Sequence, residues 1–109
     1  MPTITATIIT KNEASKIEAC LKSLDWVDEI IVLDSGSTDN TVDICRKFTQ
    51  HVYETDWPGF GIQKNRALKK ASGEWILSID ADEIISSALK QEIQQAILSK
   101  NFTGFQIPR

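Results

Sequence analysis

Two aspartates separated by one residue, Asp80 and Asp82, follow directly after the apolar segment 75–79. Carboxylates at positions i and i+2 of an extended segment point to the same side, and they repel each other unless a cation lies between them. Proteins hold Mg²⁺ and Mn²⁺ by one or two carboxylates while substrate phosphates complete the coordination shell. The motif Asp80-Ala81-Asp82 therefore predicts a site for a metal–diphosphate complex, although acidic turns without a metal are also common.

Polar residues follow the other predicted strands as well. Asp34 ends the apolar segment 29–33, where it could accept a hydrogen bond from a base ring or a ribose hydroxyl; alternatively, it caps the turn at residues 35–38. Asn12 and Glu13 follow the first strand and could equally form a helix N-terminus, where an acidic side chain suits the macrodipole. Together, the three acidic strand ends indicate a pocket for a nucleoside diphosphate.

An alternation of strands and helices must position these residues. Strands are predicted over residues 4–10, 29–33, 51–54 and 74–79, with helices after each of them and a further strand beginning at Phe105. This alternation is typical of a parallel sheet with right-handed crossovers, in which ligands bind outside the carboxyl ends of the strands. The predicted α/β fold therefore brings the polar strand ends to one edge of the sheet.

The four helices are predicted from residues that recur at helical spacing. The side chains expected to face the core are Ile17, Cys20, Leu21, Leu24, Val42, Cys45, Phe48, Asn65, Leu68, Ala71, Leu89, Ile93, Ala96 and Ile97. We expect Ser37 or Thr38 to cap the second helix. Ser86 or Ser87 is expected to cap the fourth helix, and Gly73 to close the third at its C-terminus.

Length and composition exclude several classes of protein. The chain has 109 residues, which predicts a single domain. Of these residues, 41% are hydrophobic and 25% charged, which argues against a disordered or low-complexity protein. The net charge of −3 argues against a nucleic-acid binder. We expect no transmembrane segment and no secretory signal. Cys20 and Cys45 lie on predicted apolar helix faces, which favours buried thiols in a reducing cytosol over a redox or nucleophilic role.

Charges are segregated along the chain. Residues 25–45 contain six acidic side chains and no Lys or Arg, whereas residues 61–72 contain four basic side chains and no acid. One interpretation is that each run is a solvated face. The other is an acidic rim that holds a cation, opposite a basic helix that meets phosphates.

Four segments of the sequence together resemble family 2 glycosyltransferases with the GT-A fold. They are TKNEA at residues 10–14, VDEIIVLDSGSTDNT at 27–41, WPGFGIQKNRAL at 57–68 and LSIDADE at 77–83. They occur in the family's order over essentially the whole chain, and they are most similar to the lipopolysaccharide-core β-1,4-glucosyltransferase branch. The resemblance implies a three-layer, Rossmann-like parallel sheet in strand order 3-2-1-4 with helices on both faces.

The resemblance also implies roles for individual residues. The positions that match the family's nucleotide-sugar-binding motifs are Thr10, Asn12, Glu13, Asp34, Lys64, Asn65, Arg66, Asp80 and Ala81. Thr10 and Glu13 would line the nucleoside pocket, and Asp34 would bind the uracil or ribose. The start of the basic helix, residues 64–66, would lie near the base or the diphosphate. Asp82, with Asp80, would bind Mn²⁺ or Mg²⁺ during an inverting transfer.

The sequence departs from the family pattern in two respects. Many relatives have a second acid where this chain has Ser35, and family members are normally more than twice as long. We therefore expect residues 1–109 to be the donor-binding half of a truncated GT-A domain without a catalytic base. The candidates for a base are His51 and Glu83, and both are better explained by structural positions.

Two alternatives to a transferase remain open at this point. One is a non-catalytic nucleotide-sugar-binding module. The other is a phosphatase-like enzyme with Asp80 and Asp82 as nucleophile and acid, which Glu83 disfavours because that fold normally has Thr or Gly at this position.

The resemblance also predicts partners and a location. The partners are a nucleotide-sugar donor and a saccharide or lipid-linked saccharide acceptor, in the cytoplasm or at the inner face of a bacterial inner membrane. We further expect a homodimer formed through the C-terminal segment, because Phe102, Phe105 and Ile107 would otherwise leave an apolar strand edge unpaired.

Overall fold

A computed structural model of the chain describes residues 3–98 and the backbone of residues 105–106. Its elements are β1 (Ile4–Thr10), α1 (Ala14–Lys22), β2 (Glu29–Asp34), α2 (Thr41–Arg46), β3 (Val52–Glu54), α3 (Phe60–Lys70), β4 (Trp75–Asp80), α4 (Ser87–Leu98) and β5 (Phe105–Gln106). Strands and helices alternate, as the sequence predicts. Within these residues, no helix is long and apolar enough to cross a membrane.

The strands form one parallel sheet in the order β3-β2-β1-β4-β5. Ile8 at the centre of β1 pairs with Val32 on one side and with Ile79 on the other. The predicted order 3-2-1-4 is therefore confirmed, and β5 extends the sheet next to β4. Because β1 is flanked on both sides, its residues 4–8 are all buried, as expected for a central parallel strand.

Helices cover both faces of the sheet, as predicted. Alternate strand residues point to opposite faces. On one face, Ala6, Ile8 and Val32 belong to a buried cluster with side chains of α1, α2 and α4. On the other face, Ile31 and Leu33 are buried outside that cluster, and α3 packs against β1 and β2.

The buried face of α3 differs from the predicted one. Leu68 is 42% exposed and Asn65 is exposed, while Gln63 and Ala67 are fully buried. Ala71 lies beyond the helix with extended backbone. The prediction was wrong because it followed the apolar residue Leu68, whereas the buried amide of Gln63 hydrogen-bonds to the Ser35 hydroxyl at 2.9 Å and is thereby stabilised inside the protein.

Gly73 also has a different role from the predicted one. It lies three residues after α3 and does not adopt the left-handed conformation of a helix-closing glycine. A Cβ at this position would lie 2.6 Å from Oγ1 of Thr5 and 2.8 Å from its backbone nitrogen. Glycine is therefore required by the close approach of this segment to β1, and the Gly73 N–H donates to Thr5 Oγ1 at 2.9 Å.

Of the predicted helix caps, one is confirmed. Ser86 Oγ accepts a hydrogen bond from the Leu89 N–H at the start of α4. In contrast, α2 begins after Asn40 without a side-chain cap, so neither Ser37 nor Thr38 caps it. Those two residues are used to connect the β2–α2 loop to the β1–α1 loop.

The predicted C-terminal dimer contact involves residues that are mostly outside the described part of the chain. Phe102 and Ile107 are not described, and for Phe105 the structure gives the backbone, which pairs with Leu77 of β4. Dimerisation through this segment stays a prediction.

Candidate functional site

A cleft of about 310 Å³ lies at the carboxyl ends of β1 and β4, where ligands bind in parallel α/β sheets. Its lining residues are Ile9, Thr10, Lys11, Glu13, Ser35, Trp57, Asp80, Ala81 and Asp82. The fold therefore brings five of the sequence-predicted site residues together: Thr10, Glu13, Asp80, Ala81 and Asp82. The hydroxyl of Thr10 is buried and has no hydrogen-bond partner among the described residues.

The two aspartates do not share the extended segment that the sequence analysis assumes, because Asp82 lies in the turn after β4. Asp80 ends β4, and the Glu83 N–H donates to the Asp80 carbonyl at 3.0 Å. Glu83 Oε1 accepts the Asp80 N–H at 2.7 Å and so closes the turn. Asp80 is half-buried and Asp82 is exposed. Both still line the cleft, but the turn places them there, and the Glu83 carboxylate is engaged in holding that turn.

The oxygen ligands in the cleft suit a hard divalent cation whose shell is completed by phosphates. Asp80 and Asp82 supply carboxylates of the kind that Mg²⁺ and Mn²⁺ prefer. Within residues 3–98, no three His, Cys, Asp or Glu side chains form a metal-binding group. Two carboxylates leave the other coordination positions of the metal for the phosphates of a metal–diphosphate complex, so the residues present fit such a cation.

Asp34 lies outside the cleft lining. It is fully buried, and its carboxylate accepts hydrogen bonds from the Gly36 N–H at 3.2 Å and from the N–H and hydroxyl of Ser37. This is the turn-capping arrangement that the sequence analysis considers as the alternative. Asp34 is paired with Thr10 in the sheet, whereas Asp80 is paired with Ile9, so the two aspartates point to opposite faces.

The loops after β1 and β2 are connected by hydrogen bonds. Asn12, with a positive φ of 54°, accepts the Thr38 N–H on Oδ1 at 2.8 Å. The Glu13 N–H donates to Thr41 Oγ1 at 2.9 Å, and Asp39 accepts hydrogen bonds from Thr41 and from the Ala14 N–H. Asn12 thus connects the two loops and does not line the cleft, whereas Glu13 does line it.

The basic residues of α3 do not line the cleft. The Lys64 ammonium lies 4.8 Å from the centre of the Phe60 ring, and Asn65 is exposed. Arg66 forms an ion pair with Asp56 at 2.6 Å, and the hydrogen bond from Arg66 lowers the pKa of the Asp56 carboxyl below its ordinary value. Lys11, which sequence reasoning did not single out, supplies the positive charge among the described residues that line the cleft.

Two other residues at the site were missed by sequence reasoning. Trp57 lines the cleft; the sequence analysis includes it in the family-like segment 57–68 but assigns it no role in the site. Gln63 is buried behind it, where its amide donates to Ser35 and Thr55. The signal available in the sequence was the aromatic pair Trp57 and Phe60, which follows the polar end of the third predicted strand.

The family is decided by the match to known sequences. The model of the family described as "Glycosyl transferase family 2" matches residues 5–109. The chain belongs to glycosyl transferase family 2. An uncharacterized glycosyltransferase of Rickettsia felis is 44% identical over 102 residues, which cover 93% of this chain and 36% of that protein. The lipopolysaccharide core biosynthesis glycosyltransferase LpsC of Rhizobium meliloti is 33% identical over 113 residues, covering 97% and 42%.

Solved structures also match the fold of this chain. Glucosyl-3-phosphoglycerate synthase from Mycobacterium tuberculosis, in complex with Mg²⁺ and UDP, has a TM-score of 0.65 at 34% identity and covers 76% of this chain and 34% of that one. S. aureus TarS has a TM-score of 0.75 at 28% identity, covering 89% and 32%. This family 2 chain spans about a third of the length of the first curated relatives it matches.

A second and larger cleft of this family 2 chain, about 850 Å³, lies at the opposite end of the sheet. It is lined by residues before β2 and β3, including Glu29 and His51. Glu29 accepts hydrogen bonds from Thr5 Oγ1 and from the N–H and hydroxyl of Ser72, and lies 3.8 Å from His51. Because Glu29 is already hydrogen-bonded and the cleft lies at the amino ends of the strands, this cleft is a weaker candidate despite its size.

The acidic run at residues 25–45 does not form a rim that holds a cation. Asp28 accepts the Ile4 N–H at 2.7 Å, and Glu29, Asp34 and Asp39 accept hydrogen bonds as described above. Asp25 is exposed. The acidic side chains of this run therefore accept hydrogen bonds in nearby turns and loops or are solvated.

The two thiols are buried, as predicted. Cys20 and Cys45 are free and fully buried. Burial, with nearby acidic charges, raises the pKa of Cys20 to about 12 and that of Cys45 to about 11. Such thiols remain protonated at neutral pH and are poor nucleophiles.

Proposed function

We propose that this chain is the donor-binding half, residues 1–109, of a GT-A glycosyltransferase domain and binds a nucleoside-diphospho-sugar such as UDP-glucose. The observation that carries the proposal is the convergence of Thr10, Glu13, Asp80 and Asp82 on one cleft at the carboxyl ends of β1 and β4. Family membership supports it, as does the solved relative described as a complex with Mg²⁺ and UDP.

In the proposed complex, Asp82 and Asp80 hold the divalent cation. Mn²⁺ or Mg²⁺ bound there would stabilise the negative charge that develops on the departing nucleoside diphosphate. Lys11, on the same cleft, balances part of the charge of the phosphates. Thr10 and Glu13 line the nucleoside end of the cleft. The buried Asp34 carboxylate supports this pocket by fixing the turn after β2.

The proposal extends to the reaction of the whole protein. We infer an inverting transfer to a saccharide or lipid-linked saccharide acceptor, in the branch of lipopolysaccharide-core β-1,4-glucosyltransferases, in the cytoplasm at the inner face of the membrane. The sequence motifs support this assignment, and so does the 33% identity to a lipopolysaccharide core biosynthesis glycosyltransferase.

Calorimetry with UDP tests the donor proposal. We expect the purified chain to bind UDP with Mn²⁺ or Mg²⁺ present and to lose at least tenfold in affinity when EDTA removes the metal, because the diphosphate completes the metal shell. Asp82→Ala should bind UDP weakly and equally with and without metal. Asp25→Ala, an exposed acid at the opposite end of the sheet, serves as the matched control. Equal binding of UDP by the unaltered chain with EDTA present would refute the proposal.

A second candidate function is a binding module without turnover. It is favoured by the positions of the two candidate bases: Glu83 is engaged by the Asp80 N–H, and His51 lies at the other end of the sheet. The two candidates share the donor site and both predict negligible transfer by the chain alone; they differ in whether a longer protein that contains this chain transfers sugar.

A further inference from the structure

Trp57 lies on the opposite side of the cleft from the acidic turn. It follows β3, and Ser35, another lining residue, follows β2, whereas Asp80 and Asp82 follow β4. In the sheet order β3-β2-β1-β4, β3 and β4 are separated by three strand spacings, about 14 Å. This is the scale of one nucleoside diphosphate. A diphosphate held at the carboxylates would therefore have its base towards Trp57.

The loop that carries Trp57 is held by hydrogen bonds before it and leads directly into α3 after it. Before it, the Thr55 N–H donates to the Asp34 carbonyl at 2.7 Å, and Asp56 pairs with Arg66 at 2.6 Å. After it, Gly59 has a φ of 117°, a conformation that glycine adopts without strain, and α3 begins at the next residue.

Gln63 connects this loop to β2. Its Nε2 donates to Ser35 Oγ at 2.9 Å and to Thr55 Oγ1, and its Oε1 accepts from Arg66 at 3.3 Å. Gln63 is fully buried, and its bond to Ser35 is shielded from water, while its bonds to Thr55 and Arg66 are partly buried. The loop that carries Trp57 is thus held before any ligand binds, which lowers the entropic cost of binding.

The indole itself is available for contact. Trp57 is 53% exposed, and its ring lies 6.2 Å from the Phe60 ring at an interplanar angle of 33°. Phe60 therefore supports one edge of the indole. A large aromatic side chain that is half-exposed at a polar cleft is suited to stack on a planar ring.

We propose that Trp57 is a stacking surface for the base of the nucleoside diphosphate. The proposal rests on the proposed function and adds the residue that binds the base. Because every nucleobase has a π-face, stacking on Trp57 contributes affinity without selecting one base. The Asp56–Arg66–Gln63 network is the positioning element that keeps the indole at the cleft.

Binding measurements on two Trp57 variants test this. We expect Trp57→Ala to weaken Mn²⁺-dependent UDP binding about tenfold and Trp57→Phe to weaken it about threefold. Binding of Mn²⁺ with pyrophosphate should be unchanged in both variants, because pyrophosphate has no base. UDP should also quench tryptophan fluorescence in the unaltered chain, and this quenching should be lost in Trp57→Phe, which keeps Trp26 and Trp75.

Ile62→Ala is the matched control, since Ile62 is also 53% exposed but does not line the cleft. It should leave all three signals unchanged. Unchanged UDP binding by Trp57→Ala would overturn the stacking proposal alone. An equal loss of UDP and pyrophosphate binding, or a loss confined to UDP-glucose, would overturn it too, by assigning Trp57 to the diphosphate or to the sugar. Absence of Mn²⁺-dependent UDP binding by the unaltered chain would overturn the proposed function itself.

Discussion

At the scale of single residues, the hydrogen-bond donors around an acidic side chain explain where it lies better than its position in the sequence does. Asp34 and Asp80 both end a central strand. The buried Asp34 carboxylate accepts three hydrogen bonds from its own turn, whereas Asp80 lines the cleft. Glu29 at the amino end of β2 is a third case, with donors from Thr5 and Ser72.

Glu29 makes the stability of the protein dependent on pH. Burial raises its pKa, but the hydrogen bonds from Ser72 and Thr5 outweigh this and hold the pKa below the ordinary value of 4.5. A lowered pKa in the folded state means that the ionised carboxylate stabilises the fold above pH 4.5 and that this contribution is lost as the pH falls through the folded-state pKa.

We therefore expect Glu29→Gln to lower the free energy of unfolding by about 1 kcal/mol at pH 7. The difference from the unaltered chain should shrink below pH 4. Urea unfolding at pH 7 and pH 3 measures it. Glu18→Gln, which affects an exposed pair with Lys22 at 4.0 Å, should change stability by less than about 0.5 kcal/mol at either pH. A difference for Glu29→Gln that is the same at both pH values would contradict the assignment.

At the scale of elements, the loops after the strands are connected across the sheet by side chains that lie far apart in the sequence. Asn12 binds the β2–α2 loop, and Gln63 binds α3 to the ends of β2 and β3. The segment before β4 is fixed in the same way against β1, through Gly73 and Thr5.

Gly73 and Gly61 should respond oppositely to alanine. Gly73→Ala places a methyl group 2.6 Å from Thr5 Oγ1, against a buried central strand, and should lower the free energy of unfolding by about 2 kcal/mol. Gly61→Ala lies inside α3 with no atom within 4 Å of the new methyl group, and should raise it by about 0.5–1 kcal/mol. Thermal and urea unfolding compare the two variants. Tolerance of alanine at Gly73 would show that β1 and the segment before β4 are less closely packed than described.

At the scale of the whole molecule, the parallel order of the strands creates the cleft, because it brings the ends of β1, β2 and β4 to one edge. The chain spans about a third of the first curated relatives it matches. The proposed donor cleft is formed within this third, and the two candidate bases, Glu83 and His51, make other contacts.

We accordingly expect negligible sugar transfer by the 109-residue chain. A positioned general base contributes about 10²–10⁴-fold to the rate of such a reaction, and the chain is proposed to supply the donor site without one. Release of UDP from UDP-glucose in the presence of a saccharide acceptor measures it, with Mn²⁺-dependent UDP binding by the same preparation as the control for folding. Rapid, acceptor-dependent transfer by this chain would favour a complete enzyme.

The sequence by itself determined the alternation of elements and the polar strand ends, because apolar residues at periods of two and 3.6 define strands and helices locally. Parallel crossovers limit the topology, and the resemblance to the family supplied the strand order. The motif segments, in their order along the chain, were sufficient to indicate the family that the comparison then established.

Only the tertiary structure decided which of the polar residues reach the cleft. Asp34 and Asp80 were indistinguishable as strand ends, but their register against β1 sends them to opposite faces. Lys64 and Arg66 contact Phe60 and Asp56 and do not line the cleft, whereas Lys11 and Trp57 do; a role for Lys64 and Arg66 near the ligand stays a prediction. The physical reason is that a side chain's final position depends on hydrogen-bond and ring partners brought in by other elements, which local periodicity does not encode.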